Sequence, residues 1–219
     1  MEEQETYCYG GVEALDELEL ARIRSEAERG FAEAQFTLGL VLARRDGMQS
    51  GEWAEAVKWY RAAAEQGYAP AQHEMGVLSS MGCGMEQNPS EAARWYHKAA
   101  EQGYSMAQFE LAHCYGCGFG VPKDMQESFK WCKLAAEQGN AGAQAQLGTM
   151  YMAEGDAAAS FEWTRKAAEN GDAIGQYNLA KMYVQGRGVA KDENAASKWL
   201  QLSAAQGFRP AMEMFEIEK

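Results

Sequence analysis

The sequence predicts an all-α fold, an array of five stacked helix-turn-helix repeats flanked by terminal capping helices. Three observations carry that prediction. Tryptophan recurs at Trp59, Trp95, Trp131, Trp163 and Trp199, at spacings of 36, 36, 32 and 36 residues. A glycine-ended motif keeps pace: Ala64-Glu65-Gln66-Gly67, Ala100-Glu101-Gln102-Gly103, Ala136-Glu137-Gln138-Gly139, Ala168-Glu169-Asn170-Gly171 and Ala205-Gln206-Gly207. Ahead of each tryptophan, small residues and one large apolar residue recur at i, i+3/i+4 and i+7, which is a helical period. A fixed repeat of this length means one supersecondary unit copied along the chain.

Taken in order, residues 12–30 read as an N-terminal capping helix whose charged outer face suits the uncovered end of a stack. Repeats follow at 32–67, 69–103, 105–139, 141–171 and 173–207. Each opens on a helix A, as in Ala32-Glu-Ala34-Gln35-Phe36-Thr-Leu38-Gly39. Its central small residue (Gly39, Gly76, Ala112, Gly148, Ala180) lets a neighbouring helix approach closely, which must outweigh the poor helix propensity of glycine. Helix A stops at Gly82-Cys83-Gly84, Gly118-Phe119-Gly120 and Gly186-Arg187-Gly188, where glycine supplies a left-handed C-cap. Asn88, Asp124 and Asp192 then cap helix B, with Pro89 in the first turn and Glu91 and Glu127 three residues after their caps, as in a capping box. Helix B carries the tryptophan and ends at the glycine of the recurring motif. Repeat four lacks four residues at its A–B turn, Glu154-Gly155-Asp156. Residues 209–219 read as a truncated helix A that caps the array, and residues 1–219 as one domain.

Composition bounds the function. With 32 Asp+Glu against 20 Lys+Arg, the formal net charge is −12. Such a chain repels phosphate backbones, so nucleic acid is not an expected partner, and its field favours a basic one. No run reaches the apolar length of a membrane span. The first residues open with acid and show no secretion signal, so a cytoplasmic location is expected. Cys8, Cys83, Cys114, Cys117 and Cys132 are odd in number and out of step with the repeat, which fits free thiols in a reducing compartment.

Repeat three runs Leu111, Tyr115, Gly118-Phe119-Gly120-Val121-Pro122-Lys123-Asp124, then Trp131 through Gly139. This closely resembles the Sel-one-like repeat family (SLR), a relative of the tetratricopeptide repeat. The resemblance implies a right-handed superhelical solenoid with helices A lining a concave face. It also implies a non-enzymatic protein-interaction module, since members mostly act as adaptors, often in bacterial signalling. A secreted, cysteine-rich branch is associated with periodic disulfides and β-lactam binding. A small-molecule or hydrolase activity like that branch's is one alternative; a homo-oligomeric scaffold is another.

The residues offer little catalytic chemistry. The Trp column reads as packing between stacked helices. His113-Cys114-Tyr-Gly-Cys117 supplies one ligand pair where a zinc site typically uses two, and Cys114 falls where other repeats place Leu78, Met150 and Met182. The Gly-x-Gly turns follow no strand, so they read as helix stops and not as a dinucleotide cradle. Glu65, Glu101, Glu137 and Glu169 read as solvated. No catalytic residue, metal or cofactor is therefore expected. By analogy with tetratricopeptide geometry, helix A presents its first, fourth and eighth positions after the initial small residue. That places Phe36, Leu40, His73, Val77, Met106, Phe109, His113, Ile174, Tyr177 and Lys181 along a partner-binding groove for a protein or peptide.

Overall fold

The structure, a computed structural model, describes residues 17–45 and 50–217. Among these residues are twelve helices and no strand: α1 (Glu17–Glu28), α2 (Ala32–Arg45), α3 (Ser50–Glu65), α4 (Ala69–Met81), α5 (Pro89–Glu101), α6 (Ser105–Cys117), α7 (Met125–Glu137), α8 (Ala141–Glu154), α9 (Ala157–Glu169), α10 (Ala173–Gln185), α11 (Glu193–Ala205) and α12 (Arg209–Ile217). Residues 12–16 of the expected capping helix, Cys8 and residues 218–219 lie outside the described residues. Even-numbered helices α2–α10 are the A helices, and α3–α11 are the B helices. The chain divides at Gln102/Gly103, a joint between repeats, into two compact units holding α1–α5 and α6–α12. Within each unit, every helix packs on the next in chain order.

The repeat period is a packing period. Each helix A buries one large apolar residue completely: Leu38, Met75, Leu111, Leu147 and Leu179 all have 0% exposure. Burial of such a side chain contributes about 1.5–3 kcal/mol. Paired alanines near the end of helix B (Ala63-Ala64, Ala99-Ala100, Ala135-Ala136, Ala167-Ala168) are equally buried, because only a methyl fits at the joint.

The central glycine of helix A is required by the residue that follows the tryptophan. A Cβ on Gly39 would meet the Tyr60 ring at 2.9 Å, and one on Gly76 would meet the Tyr96 ring at 2.5 Å. Tyr60 and Tyr96 are 1% and 3% exposed, so these rings fill the interface between the two helices of a hairpin. The tryptophans themselves are less uniform than their period suggests. Trp95 and Trp131 are buried, whereas Trp59, Trp163 and Trp199 are half-buried. Lysines three residues on roof two of these rings, Lys98 Nζ lying 4.1 Å from the Trp95 ring centre and Lys166 Nζ 3.9 Å from that of Trp163.

A polar ladder runs beside the apolar one. Each helix-A glutamine is buried, and four donate their amide to the preceding helix: Gln35 to the Ala27 carbonyl, Gln72 to Ala64, Gln144 to Ala136 and Gln176 to Ala168. Their own carbonyls accept from the amide of the glycine-ended motif, from Gln66, Gln102, Asn170 and Gln206 onto Gln35, Gln72, Gln144 and Gln176. One buried amide thus ties three helical segments together, with both of its ends satisfied.

The expected stops and caps are present. Gly82, Gly118 and Gly186 sit at φ 76, 76 and 70 as left-handed C-caps. Asn88, Asp124 and Asp192 each accept from backbone N–H groups of helix B. The capping boxes differ from expectation. Glu91 turns its carboxylate to the Trp95 indole N–H at 3.3 Å and to Arg61 at 3.4 Å, while Glu127 pairs with Lys130. In repeat four, Gly155 and Asp156 alone link α8 to α9, and Asp156 caps α9 through the Ala159 N–H.

Asp172 caps α10 by accepting from the Gly175 N–H, yet it is only 8% exposed. Burial pushes its carboxyl above the usual range, partly offset by backbone N–H bonds from Gly175 and Ile174. Between the ordinary and the raised value the native state holds more protons than the unfolded chain, so stability from this group falls as pH rises. Asp172→Asn keeps the acceptor, as Asn140 does on α8. Its stability relative to wild type should therefore grow as pH is raised from about 3 to about 6. Urea melts across that series check the trend, and a difference independent of pH would contradict it.

Candidate functional site

The candidate site is the face that the first, fourth and eighth positions mark on each helix A. In the first unit, Phe36 is half-buried with its ring 5.7 Å from Tyr60 and 5.4 Å from Tyr68, the residue that leads into α4. Leu40 packs against the same apolar cluster. Val77 is half-buried. His73 is placed differently from the groove expectation. It is 3% exposed, its Nδ1 lies 3.3 Å from the buried Glu74 carboxylate, and its ring is 5.8 Å from Tyr96. It belongs to the interior because the turn of α4 that carries it is covered on all sides.

In the second unit, Met106, Phe109 and His113 share one face of α6, spaced i, i+3, i+7. Ile174, Tyr177 and Lys181 do the same on α10. Phe109 lies against the backbone of Gly142 at the start of α8, and Tyr177 against Phe208 at 5.4 Å just ahead of α12. The fourth-position aromatics thus rest on the next helix A. Phe36 on Tyr68 repeats the arrangement. What stays open is the remainder: His113 is exposed, Ile174 is 50% exposed, and Met106 and Lys181 are half-buried. Lys181 Nζ sits 5.2 Å from the Tyr177 ring centre.

The described cysteines are free thiols. Burial, with Glu110 and Cys117 nearby, pushes the Cys114 thiol up to about 12, and burial alone does the same for Cys132. Both are protonated and inert at neutral pH. Exposed Cys117 lies 3.8 Å from His113, one turn away on α6. No group of three or more metal-ligating side chains occurs among the described residues. Glu101, Glu137 and Glu169 are exposed and form i,i+4 pairs with His97, Lys133 and Arg165.

A model of the Sel1 repeat matches residues 32–68, 69–104, 105–140, 141–172 and 173–208. The chain belongs to the Sel1 repeat family. A Sel1 repeat protein from Oxalobacter formigenes is 32% identical, with a TM-score of 0.80 over 92% of this chain and 59% of that one. A protective antigen of uropathogenic Escherichia coli strains, which displays an SLR fold, is also 32% identical, with a TM-score of 0.60 over 90% of this chain and 50% of that one. This chain therefore spans only half to three fifths of those Sel1 repeat proteins. An immunity protein from Pseudomonas aeruginosa shares the fold at 24% identity and a TM-score of 0.58, over 82% of this chain and 67% of that one. No curated protein matches the chain. Among the described residues, no helix is long and apolar enough to cross a membrane.

Sequence reasoning missed the glutamine ladder. Its signal was available: an amide side chain recurs at both positions in every repeat, and Asn170 keeps the amide where glutamine is lost.

Proposed function

We propose that this Sel1 repeat chain is a non-catalytic interaction module that grips a segment of a partner protein along the helix-A face of residues 103–219. The observation that carries the reading is Ile174, an apolar β-branched residue half-exposed on the same face of α10 as Lys181, with Met106 and His113 equivalently placed on α6. Open apolar positions flanked by polar handles suit an extended peptide. The supporting scaffold is held by satisfied buried amides and close-packed rings, so little order has to be gained on binding. Free thiols support a reducing, cytoplasmic setting, and the net charge of −12 favours a partner of basic overall character.

The test is a variant that changes only open positions: His113→Glu, Ile174→Glu and Lys181→Glu together. Exposed substitutions of this kind cost little stability, roughly within 0.5 kcal/mol each. The wild type should capture a partner from the native lysate that the triple variant, with unchanged helicity and melting, does not. Equal capture of the same partner by both would contradict the reading. A particle mass in light scattering that rises with concentration would identify that partner as a second copy of the chain.

A further inference from the structure

Repeats one and two match a glycine on helix A with a tyrosine ring on helix B, Gly39 with Tyr60 and Gly76 with Tyr96. Repeat four breaks the match, because Gly148 faces Thr164 and no ring is present. The interior there opens into a cavity of about 140 Å³ among α8, α9 and α10, lined by Gly148 and Thr164 and bordered by Thr149, Asn178, Lys181 and Arg187. One water needs only about 10–15 Å³ measured this way, so several heavy atoms fit.

The lining sets polar side chains among the apolar ones of Met152 and Met182. Thr164 is 3% exposed, and its hydroxyl faces the backbone of Gly148 at the edge of the cavity. Lys181 and Arg187 meet at this cavity, and among the described residues neither forms an ion pair, although the chain carries a net charge of −12. Nearby Ser160 is already committed, donating to the Gly148 carbonyl at 2.7 Å.

We propose that this cavity is a subsite for the carboxylate of a glutamate or aspartate side chain on the bound partner segment. The two cations supply charge at the mouth, and the Thr164 hydroxyl donates from within. Lys181 belongs to the open face of α10, so a segment lying on that face reaches the cavity with one side chain. The inference rests on the interaction reading above, and it reconciles a partner of basic overall character with a local acidic anchor.

The test is an amide-resolved NMR titration with N-acetyl-glutamate amide against N-acetyl-glutamine amide. The glutamate probe should give saturable shifts at Thr164 and Lys181, at least about tenfold tighter than the glutamine probe. Lys181→Gln with Arg187→Gln should weaken it by about tenfold or more. Thr164→Tyr restores the ring of repeats one and two and should abolish binding; Thr164→Val, which removes only the hydroxyl, should weaken it if the tyrosine variant does not fold. Equal binding of both probes, shifts that persist in a folded Thr164→Tyr variant, or no saturable shift would each overturn the proposal. Tighter binding of free glutarate or inorganic phosphate would assign the cavity to a small anion and overturn the side-chain source. Probe binding without partner capture would sink the interaction reading alone, whereas capture without probe binding would sink only this subsite.

Discussion

Replacing Tyr96 by alanine is expected to destabilise the protein by about 3–5 kcal/mol, the usual cost of removing a buried aromatic ring. The ring is 3% exposed, lies on the bare backbone of Gly76 and sits tilted against buried His73 at 5.8 Å. Neighbouring helices cannot collapse into the space, because α4 is already held at close approach by that glycine. Trp59→Ala removes a larger ring but one that is only half-buried, and it should cost less. Urea melts of the two variants decide the order. A larger loss for Trp59→Ala would contradict the claim that the residue after the tryptophan fills the hairpin.

The second large effect concerns charge. Gln144→Glu preserves shape but replaces an amide N–H donor with a carboxylate oxygen facing the Ala136 carbonyl, at a site 4% exposed. Leaving a buried charge without compensation costs about 3–5 kcal/mol. The new carboxyl should titrate well above its ordinary value in the native state, so the native state binds the extra proton first and stability returns as pH falls. Gln144→Ala loses two hydrogen bonds without burying charge, for about 1–3 kcal/mol with no such pH dependence. Melts of the glutamate variant at neutral and acidic pH check the sign, and a loss that deepens with acidification beyond that of wild type would refute it.

Local backbone constraints made much of the fold legible in the sequence. Gly82, Gly118 and Gly186 announce helix ends because a left-handed residue is needed there, and Asn88, Asp124 and Asp192 announce starts because free N–H groups need an acceptor. Contacts between repeats were less legible. Period alone places His73 with Phe36, Phe109 and Tyr177, yet His73 is inside, and the aromatics rest partly on the next helix A, since each fate depends on what the neighbouring repeat presents. Glu91 meets the spacing of a capping box but finds Trp95 and Arg61, a choice that no local pattern encodes. The cavity beside Thr164 follows from a mismatch between the small residue of helix A and the residue after the tryptophan, which the tryptophan period does not encode.

Hydrogen–deuterium exchange on the complex with its captured partner tests the central claim most directly. The account predicts slowed exchange in α6, α8 and α10, with α7 and α11 unchanged. Protection confined to α7, α9 and α11, or none at all, would contradict it.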